Sequence, residues 1–315
     1  MATFAELKKR SRNQTADDLK QKMATKQRSG HDDRFWKPTM KKVEGRGDTV
    51  GTSRDVIRFL PMGNKDLQLI ADGKYSEDFM SPVFVRKHHA FQGPGGWYIQ
   101  ESRAMLGEDC PVYERVKPKW DAAKEADNKA QMDRIKAMFT KEVMIANILV
   151  IKDGSNPENN GKVFLFRITK DMKKLLDEAM DPLEEDVESF NPFDADMGHN
   201  CNLNLDYSNR VIGGKTVAVG DYAKVNFNET SSPIADSDEG IEAILDQCHS
   251  MLSYLNDIKS EDELNKMLDK VFAFKEARED THEQALAKAE PEAMPSTVPT
   301  AATTTDLSEY EALLS

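Results

Sequence analysis

The chain has few cysteines, no long apolar run and no familiar catalytic motif. Its three cysteines, Cys110, Cys201 and Cys248, form an odd and scattered set, which excludes a disulfide framework and favours a reducing compartment. There is no apolar stretch of about 18 residues and no apolar run after the N-terminal charges, so neither a membrane-spanning helix nor a signal peptide is expected. Gly-x-Ser-x-Gly and His-Glu-x-x-His are also absent.

Charge is distributed unevenly along the 315 residues, whose formal net charge is −12. Residues 1–46 carry 13 basic and 6 acidic side chains, whereas residues 281–315 carry 1 and 6. We therefore predict a basic N-terminal arm and helix (1–46), a folded core (47–280) and a flexible acidic tail (281–315). Residues 29–48, which carry glycine and proline and show little periodicity, are interpreted as a linker.

Short apolar strands separated by turns dominate the predicted core. They are predicted at 56–60, 83–85, 97–99, 143–151, 162–168, 202–207, 211–212, 216–219 and 222–227. Helices are predicted at 170–180, over the apolar period of 241–255, and from a capping box at Ser260 to about Phe274. We expect an α+β protein with an OB-fold-like Greek-key β-barrel core and accessory helices, flanked by a basic arm and a disordered acidic tail.

Two patterns suggest chemistry, but each has a simpler interpretation. Gly213-Gly214-Lys215-Thr216 matches the end of a phosphate-binding loop, but Asn209 occupies the position of its first glycine, so a hairpin turn is favoured. The segment 177–196 carries nine acids and no base. It could hold divalent cations, but it lacks the calcium-loop pattern, and a solvated acidic loop is favoured.

Basic and aromatic residues alternate on or beside the predicted strands. Aromatic faces stack on unpaired bases, and basic neighbours contact phosphates, so this pattern favours single-stranded nucleic acid as a ligand. Aromatic residues on strands usually belong to the core, and about half of these are expected to be buried. The candidate residues are Arg58, Arg86, Lys87, Trp97, Tyr98, Arg103, Lys141, Phe166, Arg167, Tyr222 and Lys224.

Several segments, in order along the chain, resemble a known family. They are 56–61 (VIRFLP), 89–91 (HAF), 97–99 (WYI), 110–112 (CPV), 146–153 (ANILVIKD), 156–164 (NPENNGKVF) and 263–265 (ELN). The order and spacing of these segments resemble the single-stranded DNA-binding, helix-destabilising proteins of T-even-like phages.

The resemblance implies three functional parts. An N-terminal arm would mediate cooperative self-association, an OB-fold core would bind DNA, and an acidic tail would recruit replication, recombination and repair proteins. Lys8, Lys9, Arg10, Ser11 and Arg12 resemble the family's basic arm motif. In the tail, Leu307, Tyr310, Leu313 and Leu314 would share one face of a helix against a partner.

The resemblance also implies a zinc ion held by one histidine and three cysteines. His89 and Cys110 fall on two of these positions, but Ser102 and Tyr113 fall on the other two. Neither replaces a thiolate well, so the sequence predicts that zinc has been lost and that no cofactor is bound.

Three classes of function remain. The favoured one is a cooperative coat on single-stranded DNA, acting in the cytoplasm of an infected bacterial host. A recruiting scaffold with weak DNA affinity would not explain the basic side chains on the predicted core strands. A metal-dependent nuclease would have to use the acidic segment.

Overall fold

The computed structural model describes residues 32–44, 47–184 and 186–272, and these residues have the predicted α+β composition. Their strands form one nine-stranded antiparallel sheet. The strands are β1 (Lys41–Lys42), β2 (Thr49–Phe59), β3 (Val83–Gly93), β4 (Gly96–Glu101), β5 (Lys141–Lys152), β6 (Val163–Ile168), β7 (His199–Ile212), β8 (Lys215–Asp221) and β9 (Asn226–Ser231). Each predicted strand overlaps one of these, although the last begins four residues later than predicted, at Asn226.

Helices lie between the strands and after the last one. They are α1 (Asn64–Ala71), α2 (Pro111–Glu125), α3 (Lys129–Lys136), α4 (Lys170–Met180), α5 (Asp238–Gln247), α6 (Ser253–Asn256) and α7 (261–272). The prediction of α4 is confirmed. The capping box before α7 is also confirmed, because the Ser260 amide donates to Glu263 Oε2 at 3.2 Å and the Glu263 amide donates to Ser260 Oγ at 3.4 Å. The predicted end of this helix at Phe274 lies outside the described residues.

The prediction of one helix over 241–255 is wrong, because the chain breaks between α5 and α6. In this break the amide of His249 donates to Asn147 Oδ1 at 2.9 Å, and the amide of Met251 donates to Asp66 Oδ2 at 2.8 Å. Asp66 and Asn147 are both buried. These side chains accept hydrogen bonds from backbone amides that a continuous helix would otherwise pair. The chain therefore breaks here, although the apolar period predicts a helix.

The linker interpretation of 29–48 is wrong for the part that the structure describes. The amide of Trp36 donates to Leu165 O at 2.9 Å, and the amide of Leu165 donates to Arg34 O at 2.7 Å. Trp36 is buried, and its Nε1 donates to Asp153 Oδ2 at 2.8 Å. Residues 34–36 therefore add a short parallel segment to β6.

Strand β5 lies at the centre of the architecture. Along one edge, the first half of β5 pairs with β3 and the second half pairs with β2. The other edge pairs with β6. Apolar cores cover both sides of β5. Ala146 and Ile148 belong to one core and Ile145 to the other.

The predicted hairpin turn between β7 and β8 is confirmed. Gly213 and Gly214 have φ of 58° and 80°, which glycine adopts without strain, and Lys215 begins the return strand. A phosphate-binding loop would instead lead into a helix, so that alternative is excluded.

Within the described residues, no helix is both long and apolar enough to cross a membrane.

Candidate nucleic-acid interface

Four strands place basic and aromatic side chains on one face of the sheet. The strands lie side by side in the order β4, β3, β5, β6. Ile145 of β5, for example, pairs with Phe84 of β3 on one edge and with Arg167 of β6 on the other. Because directly paired residues share a face and successive residues alternate, the register puts the six residues named next on the side of Ile145, together with the acid Glu101 and the buried Phe84 and Leu165. We call Arg86, His88, Trp97, Ile99, Lys141 and Arg167 the basic–aromatic face.

His88 is partly buried and lies near three cations of this face. Burial lowers the pKa of His88 to about 4, and the charges of Arg86, Lys141 and Arg167 add to the shift. His88 is therefore neutral at pH 7, so the net charge of this face comes from arginine and lysine. Three cations close enough to depress one imidazole form a local site that favours an anion.

Two arginines near the centre are held in place by acids and by one ring. Arg86 Nε lies 3.0 Å from both carboxylate oxygens of the buried Glu101. Its guanidinium carbon also lies 4.5 Å from the ring centroid of Tyr254. Arg34 lies over the same ring at 5.3 Å and forms a bidentate pair with Asp32. These contacts fix the guanidinium groups and partly neutralise them.

Lys141 and Arg167 have a different environment. Both are exposed, and neither forms an ion pair with an acid in the described part of the chain. The guanidinium carbon of Arg167 lies 5.0 Å from the ring centroid of Phe35. Two exposed cations without an acidic partner in the described chain, one of them beside a ring, are suited to bind phosphates.

Trp97 and Ile99 extend the same face along the edge strand β4. Trp97 is 47% exposed and Ile99 is 59% exposed. Large apolar side chains at alternate positions of an edge strand usually mark a binding surface when they are exposed. Trp97 therefore offers a ring face to a ligand.

Three of the predicted DNA contacts are buried. Tyr98 packs against Phe91 with a centroid distance of 5.0 Å, and Phe166 packs against Phe59 and Trp36. Arg58 is completely buried and donates from Nη2 to Asp194 O at 2.7 Å. Neither ring presents a face to a base, and the guanidinium is not accessible to a phosphate. We correct the prediction for these three residues, which belong to the core.

Four other predicted contacts are not part of the basic–aromatic face. Lys87 alternates to the opposite side of β3 and pairs with Glu142 at 3.5 Å. Arg103 pairs with Glu108 and donates to Lys259 O at 3.3 Å. Tyr222 packs against the core below α4, and Lys224 pairs with Asp206 at 2.7 Å beside Arg54. Hydrogen bonds from Lys224 and then Arg54 lower the pKa of Asp206 to about 2.

The proposed zinc positions do not form a four-ligand site. His89 Nε2 lies 3.1 Å from Cys110 Sγ, but its Nδ1 lies 3.0 Å from Met138 O. Ser102 Oγ instead accepts the Ala104 amide and caps a short turn, and Tyr113 is 49% exposed. Burial opposes ionisation of Cys110, but the contact with His89 together with hydrogen bonds from the Tyr113 and Val112 amides lowers the pKa of Cys110 to about 7. Of the four donors that the resemblance implies, only His89 and Cys110 have a ligand side chain here, so these residues do not fit structural zinc.

Some predicted sites are only partly described. The basic arm motif and the tail residues lie outside the described residues, as does residue 185 of the acidic segment. In the described remainder, no group of three or more histidine, cysteine, aspartate or glutamate side chains is arranged to hold a metal ion.

Sequence reasoning missed four residues that shape the face. Arg34 and Phe35 were assigned to a linker, Ile99 was not singled out, and Tyr254 was placed in a continuous helix. The adjacent Phe35-Trp36 pair was the available signal, since two large aromatic residues are unusual in a solvated linker.

Comparisons with known proteins indicate the kind of ligand that the family binds. The family model described as "gp32 DNA binding protein like" matches residues 51–272. Over 143 residues, the chain is 32% identical to the single-stranded DNA-binding protein of Enterobacteria phage T4 and 33% identical to that of Enterobacteria phage T2. These alignments cover 45% of this chain and 40% of each relative.

Proposed function

Because the chain belongs to the gp32-like family of DNA-binding proteins, which bind nucleic acid and are not enzymes, we propose that it coats single-stranded DNA. The observation that carries this proposal is that Trp97, Lys141 and Arg167 lie on the same side of the sheet and that each of these side chains is exposed. A ring can stack on any base, and cations bind any phosphate, so the recognition would be independent of sequence. Duplex DNA hides its base faces and would bind more weakly.

We further propose that the core is an OB-fold-like barrel. Strand β2 pairs with β7 along most of its length and with β5 at its end, and a register shift lies between Val56 and Ile57. Such shifts bend a strand between two neighbours, as small barrels require. The basic–aromatic face would then lie on the outside of this barrel, with Trp97 and Ile99 of β4 at its edge.

The arm and the tail would complete the function. Lys8, Lys9, Arg10, Ser11 and Arg12 would dock on a neighbouring copy and make the coat cooperative, while Leu307, Tyr310, Leu313 and Leu314 would recruit replication, recombination and repair proteins. The protein would act in the cytoplasm of an infected bacterium. It would carry no zinc. Elemental analysis of dialysed protein tests this expectation, and one zinc per chain would refute it.

A salt-dependent titration tests DNA binding at this face. Single-stranded and duplex oligonucleotides would be titrated at several salt concentrations with Lys141→Gln, Arg167→Gln and the matched control Lys87→Gln. Each face substitution should reduce the salt slope by about 0.7, the value per phosphate contact on a single strand. Lys87→Gln, on the opposite side of β3, should leave the slope unchanged.

Equal affinity for duplex and single strands would refute the proposed function. Equal slopes for all three variants would refute the assignment of the face. Weak binding to every DNA, together with recruitment of partner proteins, would favour the scaffold.

A further inference from the structure

A groove between two helices includes no residue of the basic–aromatic face. It is bounded by α2, α3, the β3–β4 turn and the last described residue, Phe272, and it has a volume of about 500 Å³. We call it the α2–α3 groove. Its apolar floor includes Val116 and Ile135, which belong to the same core as Tyr98. Because Tyr98 and Trp97 alternate along β4, this core lies on the opposite side of that strand from Trp97.

The charged side chains that line the α2–α3 groove within the described residues are Lys119 and Arg134, and both are basic. No acid of the described chain forms an ion pair with either of them. Lys119 Nζ instead lies 5.0 Å from the ring centroid of Phe272. A phosphate backbone would gain nothing from the apolar floor. A protein segment that carries apolar side chains among acids would use both the floor and the rim.

A surface loop after α4 has that chemistry. Residues 181–188 contain five acids and no base, and we call them the 181–188 loop. Leu183 is 94% exposed and Val187 is also exposed, so large apolar side chains stand in solvent among the acids. The amide of Phe190 donates to Ala179 O at 2.9 Å, which closes the base of the loop. The loop is therefore attached to the fold at both ends while it presents these apolar side chains outward.

The loop and the groove of one chain do not meet. The described residues that line the groove include none from 181–188. Helix α4, which leads into the loop, packs through Met172 and Leu176 on a different core from the one that forms the groove floor. Two complementary surfaces that cannot meet within one fold can meet between copies, in a head-to-tail contact. Such a contact repeats into an open chain of molecules, which is the arrangement that a coat along a strand requires.

We propose that the α2–α3 groove binds the 181–188 loop of a second copy of this chain. Leu183 and Val187 would contact the apolar floor, and the acids of the loop would lie beside Lys119 and Arg134. One loop in a groove buries far less than the roughly 1,200–2,000 Å² of a standard interface, so the contact would be weak between free copies. A strand that holds the copies side by side raises their effective concentration and would populate it, a step that rests on the proposed function. The contact would set the orientation of neighbouring copies, which the arm would hold together.

Photo-crosslinking between copies of the full-length protein tests this proposal. A benzophenone amino acid replaces Leu183, and ¹⁴N- and ¹⁵N-labelled copies are mixed on a long oligothymidylate strand before irradiation. Mass spectrometry should map the crosslinks to peptides of 116–138 and show that they join two copies. Lys119→Glu with Arg134→Glu should lower the yield about tenfold, because two attractions at the rim become repulsions.

The matched control is Lys124→Glu with Lys129→Glu. These exposed residues belong to the same two helices but do not line the groove, so the yield should stay constant. Adding Glu184→Lys and Asp186→Lys to the groove variant should restore the crosslink, because the charges of the rim and the loop are then exchanged. Thermal melting of each variant shows whether the fold is intact, and the charge-restored variant tests the contact even if the groove variant is less stable.

Several results would overturn the proposal. They are crosslinks within one chain, crosslinks scattered over the second copy, and an equal loss of yield in the control. Absent crosslinks, together with weaker strand binding by the groove variant, would show that the groove holds phosphate instead of a second copy.

Fluorescence anisotropy of the same samples separates this proposal from the proposed function. If the protein does not bind the strand, the proposed function fails by itself. The groove is then tested by the same crosslinking in free protein at high concentration, where the absence of crosslinks from Leu183 to 116–138 of a second copy would refute it.

Discussion

Replacing Trp97 by alanine should weaken binding to single-stranded DNA without changing its salt dependence. Stacking of one base on an aromatic ring contributes about 1–3 kcal/mol. Trp97 is 47% exposed, so one side of the ring is available, and the lower part of that range applies. We expect a loss of about 5- to 30-fold, which corresponds to about 1–2 kcal/mol.

Fluorescence anisotropy of a labelled oligonucleotide at several salt concentrations measures both quantities. Tyr113→Ala is a suitable control, because Tyr113 is 49% exposed but lies on α2. The removed indole is half-exposed, so the variant should remain folded, which thermal melting verifies. Equal losses for the two variants, or a changed salt slope for Trp97→Ala, would show that Trp97 does not stack on a base.

Three further predictions concern His88 and the two ends of the chain. Burial and neighbouring cations lower the pKa of His88 from 6.5 to about 4, so the unfolded state binds more protons between these values. The unfolding free energy should therefore be retained above pH 6.5 and fall by up to about 3 kcal/mol as the pH drops to 4. In urea titrations over this pH range, the unfolding free energy of His88→Asn should change less than that of the unmodified protein. The same pH dependence for both proteins would contradict the prediction. Removing residues 281–315, with one base and six acids, should strengthen DNA binding modestly at low salt, and a gain that persists at high salt would argue against electrostatic competition. Removing residues 1–14 should abolish cooperativity on long strands but spare binding to short ones, whereas equal losses on both lengths would place the arm in the DNA site.

The strands could be predicted from the sequence because their apolar runs are short, dense and bounded by turn residues. The segments 143–151 and 202–207 are examples, since burial on a sheet requires that pattern directly. Helix α2 was missed because Pro118 lies inside it and its apolar positions are sparse. Val112 and Val116 of α2 belong to one core with Leu264 and Leu268 of α7, and local sequence does not reveal that long-range association.

The candidate site was predicted only in part, because sequence shows residue type and not direction. Trp97 and Tyr98 are adjacent, yet one is half-exposed and the other is buried. Alternation along β4 separates them, but which side faces the core depends on α2 and α7, which pack on Tyr98 from distant parts of the chain. Arg58 shows the same limit, because the loop around Asp194 covers it.

The pairing of residues 34–36 with β6 has a mechanical consequence. This segment connects the N-terminal arm to the core, and it bonds to Leu165, two residues from Arg167. Phe35 also supports the Arg167 side chain. If the arm docks on a neighbouring copy as proposed, a load on it would reach Arg167, the proposed DNA contact, through two backbone hydrogen bonds and one ring contact. Any free energy that couples the proposed DNA contact at Arg167 to the proposed contact of the arm acts equally in both directions.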